Sequence, residues 1–396
     1  MERDALADWL RLSLTPGVGN ESARRLLAAF GLPDAVFSQS LAGLGQVVSA
    51  NQARALHAEP EGWATQLALT RAWLADAGPE NRRDIVTLGD PHYPQALLEA
   101  EDPPLLLYRM GQLDISLNST QPRIRSSKLA TNQEANPGFQ GIAIVGSRNP
   151  TPQGQANARQ FARSLASVGL SVVSGLALGV DGAAHEGALE GAPSGQLATV
   201  AVVGTGLDRV YPKKHLDLAH RIARRGQLIS EYPLGTPPLA ANFPKRNRII
   251  SGLARGTLVV EAALQSGSLI TARMALEQGK DVLAIPGSIH STQSRGCHAL
   301  IKQGAKLVES VQDVLDELRW AGAHGATPSL RSPPHGNEGN DADLLSHLGF
   351  DPVSLDALMA RTGLDAASLQ ARLLALELDG EVARLPGGLF QRMGVA

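Results

Sequence analysis

The sequence has a single cysteine, Cys297, so it can form neither an internal disulfide nor a zinc cluster of the usual Cys spacing. Aromatic residues are scarce at 4%, and 36 Lys and Arg are offset by 38 Asp and Glu to a net charge of −2. A strongly basic whole is missing, so any nucleic-acid role must come from local clustering of cations. The longest apolar runs, such as 198–203, fall far short of the roughly 18 residues of a membrane span, and no span is expected. The opening MERDALADWL lacks a basic-then-apolar signal pattern, which predicts a cytoplasmic protein. What is present is 396 residues, 43% hydrophobic, with 41 Gly and 24 Pro. That is a globular composition with enough chain for two or three domains.

Residues 1–110 are rich in Ala and Leu with helical periodicity. The Thr15-Pro16-Gly17-Val18-Gly19 turn between two amphipathic segments predicts a small helical domain of helix-hairpin-helix or SAM-like type. Residues 111–140 carry Ser, Asn and Gln with Pro122 and Pro137 but no period, and are expected to be a mobile insertion. From 141 to 320 short β-branched runs alternate with helical stretches. The runs are Ile142–Val145, Leu170–Val173, Thr199–Val203, Leu228–Ser230, Leu258–Val260, Val282–Ile285 and Lys306–Val308. Runs this apolar, with no polar alternation, predict a doubly wound α/β domain, Rossmann-like, with a mostly parallel sheet covered on both faces. Residues 321–343 form a Gly/Pro/Ser linker. After it, helical patterns over 352–360 and 365–379 precede a hairpin over 381–391 that turns at Pro386-Gly387-Gly388. Helix, helix, hairpin is the order of a winged helix, expected over 344–396.

In an open parallel sheet, ligands bind beyond the C-terminal ends of the strands. The residues there are Gly146-Ser147-Arg148, the Ser174-Gly175 to Gly179-Val180-Asp181 loop, Gly204-Thr205-Gly206, Ser266-Gly267-Ser268 with Thr271, and Pro286-Gly287-Ser288. Glycine lets backbone amides approach an anion, Ser and Thr add hydroxyl donors, and helix N-termini add partial positive charge. One such loop means no more than a tight turn, but five at one edge, with Arg148 in the first, predict a phosphate-binding rim. There is no Gly-x-Gly-x-x-Gly with a ribose-gripping acid and no Gly-Lys-Ser/Thr, so no nucleotide cofactor is expected.

Between Arg209 and Arg248 stand nine cations against two carboxylates, a net of +7, together with Tyr211, Tyr232 and Phe243. Cations that track phosphates, interleaved with rings on which bases stack, make up a single-strand binding surface. Arg221, Arg224 and Arg225 fit a solvated helix face equally well, and Tyr211 and Phe243 fit core positions equally well. Lys213 and Lys214 follow Tyr211-Pro212, and Lys245, Arg246, Asn247 and Arg248 follow Phe243-Pro244, where the residue before proline is held extended. His185 lies near Asp181 and Glu186 without a spaced second ligand and reads as structural, as does Cys297; no metal site is expected.

These residues fall into ordered blocks: Ala143-Ile144-Val145-Gly146-Ser147-Arg148, Ser174-Gly175-Leu176-Ala177-x-Gly179-Val180-Asp181, Gly206-Leu207-Asp208-x-x-Tyr211-Pro212, Ser230-Glu231-Tyr232-Pro233, Asn242-Phe243-Pro244-x-Arg246-Asn247-Arg248-Ile249-Ile250-Ser251-Gly252, Ser266-Gly267-Ser268-Leu269-Ile270-Thr271-Ala272 and Pro286-Gly287-Ser288. Over about 141–318 they closely resemble the DNA-processing protein A (DprA) family. The resemblance implies an extended Rossmann-like domain that binds single-stranded DNA in a basic pocket and dimerises. It further implies a protein that protects incoming DNA and helps load the RecA recombinase during natural transformation and recombination. Carried over by position, the pocket is Gly146, Ser147 and Arg148, the Ser174 to Asp181 loop with Gly175 and Gly179, Lys213, and Phe243 with Lys245, Arg246, Asn247 and Arg248. Tyr211, Lys214, Ser266, Gly267, Ser268 and Thr271 complete the candidate DNA-binding set. Arg148, Lys213 and Arg246 are expected on phosphates, Phe243 or Tyr211 under a base, and the homodimer around Ile289 to Ile301. No catalytic residue is expected. The alternative is an enzyme resembling the phosphoribohydrolases of the "Lonely guy" family, which pair a Gly-rich loop with a glutamate. No glutamate follows Ser266 to Met274, and Glu261 and Glu277 are expected at a strand end and on an exposed helix face.

Overall fold

The structure is a computed structural model and describes residues 3–78, 81–118, 139–320 and 341–393. Most of the expected insertion and linker, 119–138 and 321–340, lies outside the described residues. Nine strands form the main sheet: β1 (Arg82–Thr87), β2 (Leu106–Gly111), β3 (Gly141–Val145), β4 (Ser171–Ser174), β5 (Thr199–Val202), β6 (Gln227–Ser230), β7 (Ala254–Val259), β8 (Asp281–Ala284) and β9 (Lys306–Leu307). Their spatial order is β1-β2-β6-β5-β4-β3-β7-β8-β9. From β3 onward every pairing is parallel. The apolar runs become strands because both faces are buried. Along β3, Ile142 and Ile144 enter one core and Ala143 and Val145 the other. Helices Pro152–Ser167, Val180–Gly191, Leu216–Arg225 and Val311–Glu317 cover the first face. Helices Asn242–Leu253, Ser268–Glu277 and Arg295–Lys302 cover the second. The domain is doubly wound α/β with a mostly parallel sheet.

Residues 3–75 are helical and fold around Trp9, Leu12, Val18 and Leu26. The expectation of helix as far as residue 110 fails at Arg82. Strand β1 pairs antiparallel with β2, and β2 antiparallel with β6, so this segment joins the sheet. Asp84 lies opposite Arg109 in the ladder and accepts its Nε at 2.8 Å. The charges that hide these strands from an apolar pattern neutralise each other across them.

The C-terminal residues form the helix Asp341–Leu348, β10 (Val353–Ser354), helices Leu355–Thr362 and Ala366–Leu378, and a hairpin of β11 (Val382–Leu385) and β12 (Leu389–Arg392). Leu344, Leu358, Leu369, Leu373 and Phe390 make a separate core. This is a winged helix, with a first helix and a short β10 beyond the elements expected from sequence. Among the described residues, no helix is long and apolar enough to cross a membrane.

Candidate nucleic-acid interface

The chain lays down β3, β4, β5 and β6 in one direction across the sheet, then β7, β8 and β9 in the other. At the switch between β3 and β7 the two first loops part, and there a cleft of about 710 Å³ opens. Of the residues expected from sequence, Gly146, Ser147, Arg148, Asp181, Tyr211, Phe243, Arg246, Asn247, Ser266, Gly267, Ser268 and Thr271 line it. The Ser147 amide donates to Glu261 O at 2.6 Å, joining the loop after β3 to the loop after β7.

An aromatic pair stands at the cleft. The Tyr211 and Phe243 ring centroids are 5.7 Å apart, and the Arg148 guanidinium lies 5.7 Å from the Phe243 centroid. Tyr211 is 48% exposed. Gly204 seats the Phe243 ring directly on backbone, since a Cβ there would stand 3.1 Å from it. Lys213 and Lys214 follow on the short turn Lys213–His215, exposed and without an ion pair among the described residues. Lys245 is exposed on the first turn of the helix Asn242–Leu253. These three lysines flank the cleft rather than line it.

The arginines of that helix behave differently. Arg246 is 4% exposed, and its Nη1 donates to Val202 O at 2.9 Å. It fits because residue 175 is glycine: any side chain there would overlap the guanidinium. Burial pulls Arg246 down to about 10, with Asp181 opposing, so it stays cationic at neutral pH. Asp181 accepts the amides of Gly175 and Ala177 at 3.1 and 3.3 Å, which folds the loop after β4; burial pushes its carboxyl upward. Gly179 holds φ at 80°, and a Cβ there would press 2.7 Å from Arg148 O. Gly175 and Gly179 thus shape the wall without lining it.

Two expected site residues are engaged elsewhere. Ser174 is fully buried, and its hydroxyl donates to Ile144 O at 2.7 Å inside the sheet. Arg248 grips Glu231 through both terminal nitrogens at 2.8 and 2.6 Å, and its Nε donates to Asp102 O at 2.8 Å. The Asp102 carboxylate also holds Arg24 at 2.8 Å and Asn20 at 3.0 Å, so this network ties the N-terminal helix Asn20–Phe30 to the site helix. The loops Gly204 to Gly206 and Pro286 to Ser288, expected in the rim, do not line the cleft.

Sequence reasoning missed Asn149, Gln265 and Gln293, three primary amides that line it. No charge or glycine pattern marks them; each follows a strand end, a signal readable only once the strand order is known. Glu261, weighed for nucleotide hydrolysis, accepts the Thr151 amide at 2.9 Å and hydroxyl at 2.6 Å as part of a helix cap, and Glu277 is exposed. Neither lines the cleft. His185 is fully buried against Thr199 Oγ1 at 2.7 Å, and burial pushes it down to about 3. Burial raises the Cys297 thiol to about 12.

Residues 130–319 match the family model for DNA recombination-mediator protein A, and residues 327–388 match the DprA winged helix domain. Protein Smf of Escherichia coli (strain K12) is 40% identical over 302 residues, spanning 75% of this chain and 74% of that protein. Protein Smf of Synechocystis sp. is 32% identical over 432 residues, spanning 99% of this chain and all of that one. The chain belongs to the DprA family. The X-ray structure of DprA from Streptococcus pneumoniae, 34% identical, superposes with a TM-score of 0.58 over 80% of this chain and 98% of the other. As a DprA-family member, the chain is a DNA-processing, recombination-mediator protein, with a winged helix following its Rossmann-like sheet.

Proposed function

We propose that the chain binds single-stranded DNA in the cleft between β3 and β7. Acting as a cytoplasmic homodimer, it shields the strand and passes it to RecA, and it catalyses no reaction itself. The observation that carries this reading is the pair of exposed Tyr211 and half-buried Phe243, with Arg148 beside it and Lys213 and Lys214 one turn away. Rings offer a stacking face to any base, and each stacked base contributes about 1–3 kcal/mol. Arg148, Lys213, Lys214 and Lys245 take the phosphates, while Asn149, Gln265 and Gln293 supply neutral donors along the floor. Arg246 lends its charge from the wall. The homodimer uses the apolar surface around Ile289, which is 74% exposed.

Fluorescence anisotropy of labelled single-stranded and duplex oligonucleotides, across a salt series, tests the reading. The wild type prefers the single strand, and its log affinity falls steeply with log salt. Arg148→Ala flattens that slope by about 0.7, the value for one lost single-strand phosphate contact. An Arg148→Ala variant with unchanged affinity and slope moves the strand to another part of the molecule.

A further inference from the structure

The helix Ala366–Leu378 of the winged helix has two apolar faces. Leu369, Leu373 and Leu376 are buried in that domain's core. At 3.6 residues per turn, Ala367, Ala371, Leu374 and Leu378 form a single stripe on the opposite side. All four are exposed, Leu374 at 56% and Leu378 at 80%. In a winged helix that reads duplex DNA, such a face enters the major groove and carries donors and cations. This stripe carries neither, and residues 344–393 hold six carboxylates against four arginines.

We propose that the stripe packs antiparallel against the same stripe of a second copy of the chain, across a twofold axis. Register favours that occupant. With the axis between residues 372 and 373, Ala367 meets Leu378 of the second copy and Ala371 meets its Leu374, and the reverse contacts follow by symmetry. Every large side chain faces a small one, the condition for helices to close without voids. A parallel partner in register sets Leu on Leu and Ala on Ala, leaving gaps. Along the axis the two Glu377 carboxylates stand about 13 Å apart, at 1.5 Å per residue, so like charges do not meet. The contact is isologous and closes as a pair. It is distinct from the Ile289 surface. Four residues a side bury much less than the roughly 1,200–2,000 Å² of a stable interface, so the pairing is weak alone and gains from copies already held close together.

The test uses the full chain carrying either Ala367→Cys or Leu378→Cys; Cys297 is fully buried and stays out of reach. Each variant is treated with a short bis-maleimide at high concentration, alone and in an equal mixture. A covalent dimer is expected in the mixture and in neither variant alone, because two copies of residue 367 lie about 16 Å apart along the paired helices. Adding Leu374→Glu to both variants removes the product. Equal dimer from each variant alone, or none in the mixture, overturns the proposal. The first outcome indicates a parallel or unspecific contact, and the second indicates that something else covers this face.

Discussion

Lys213 and Lys214, and Arg246 and Arg248, belong to one basic stretch, yet the fold uses them in opposite ways. The lysines stand exposed beside an aromatic pair. The arginines are buried, one hydrogen-bonded to the Val202 carbonyl and the other clamped on Glu231. A guanidinium satisfies several fixed acceptors at once and so builds walls well, whereas a flexible ammonium is suited to a mobile phosphate. Charge clustering in the sequence marks where the cleft lies. Burial decides which cations stay open to solvent and which hold the frame.

The most severe way to break this distinction is Arg248→Met. It leaves the buried Glu231 carboxylate without its cation, while Asp102 keeps Arg24, and costs about 3–5 kcal/mol, read as a lower denaturant midpoint. The same loss from Lys213→Ala erases the difference between the two groups. His185 belongs with the buried frame and gives a pH signature of a few kcal/mol. Burial holds it near 3 in the fold, against about 6.5 unfolded, so below pH 6.5 the unfolded chain takes up a proton that the folded chain refuses. Stability is full above pH 6.5 and falls as pH drops toward 3, by up to about 1.4 kcal/mol per unit. Denaturation midpoints at pH 7, 6 and 5 follow that trend, and His185→Asn flattens it. At the cleft, Phe243→Ala weakens single-strand binding by about 1–3 kcal/mol in anisotropy. The smallest effect is that of Lys214→Ala, which leaves the denaturant midpoint in place and shallows the salt slope by about 0.7.

The parallel strands were legible in the sequence, most of them to within a residue or two, because burial on both faces forces short β-branched runs. Strands β1 and β2 were not, because Asp84 and Arg109 are partners only across the ladder, a relation that a linear pattern does not carry. Most of the cleft lining was legible for a similar reason: Gly146 to Arg148 directly follow β3, and Ser266 to Thr271 lead into the helix after β7. The sequence misled at Ser174 and Arg248. A serine after a strand and an arginine in a basic run look identical whether they face solvent or, as here, Ile144 O and Glu231. Asn149, Gln265 and Gln293 come together only through the strand order.

The switch between β3 and β7 also sets the order in which the molecule is completed during synthesis. Gly141 pairs with Ala254, and Met110 with Leu228, so two early strands wait for partners translated much later. Closing such long loops costs entropy before any contact repays it, and folding is slow in proportion. The nascent chain displays its glycine loops, its aromatic pair and all its lysines at the cleft before β8 exists to flank β7. A ribosome that stops short of Val259 releases five of the seven sequence blocks with only one wall of the cleft, and an open strand edge where the other belongs.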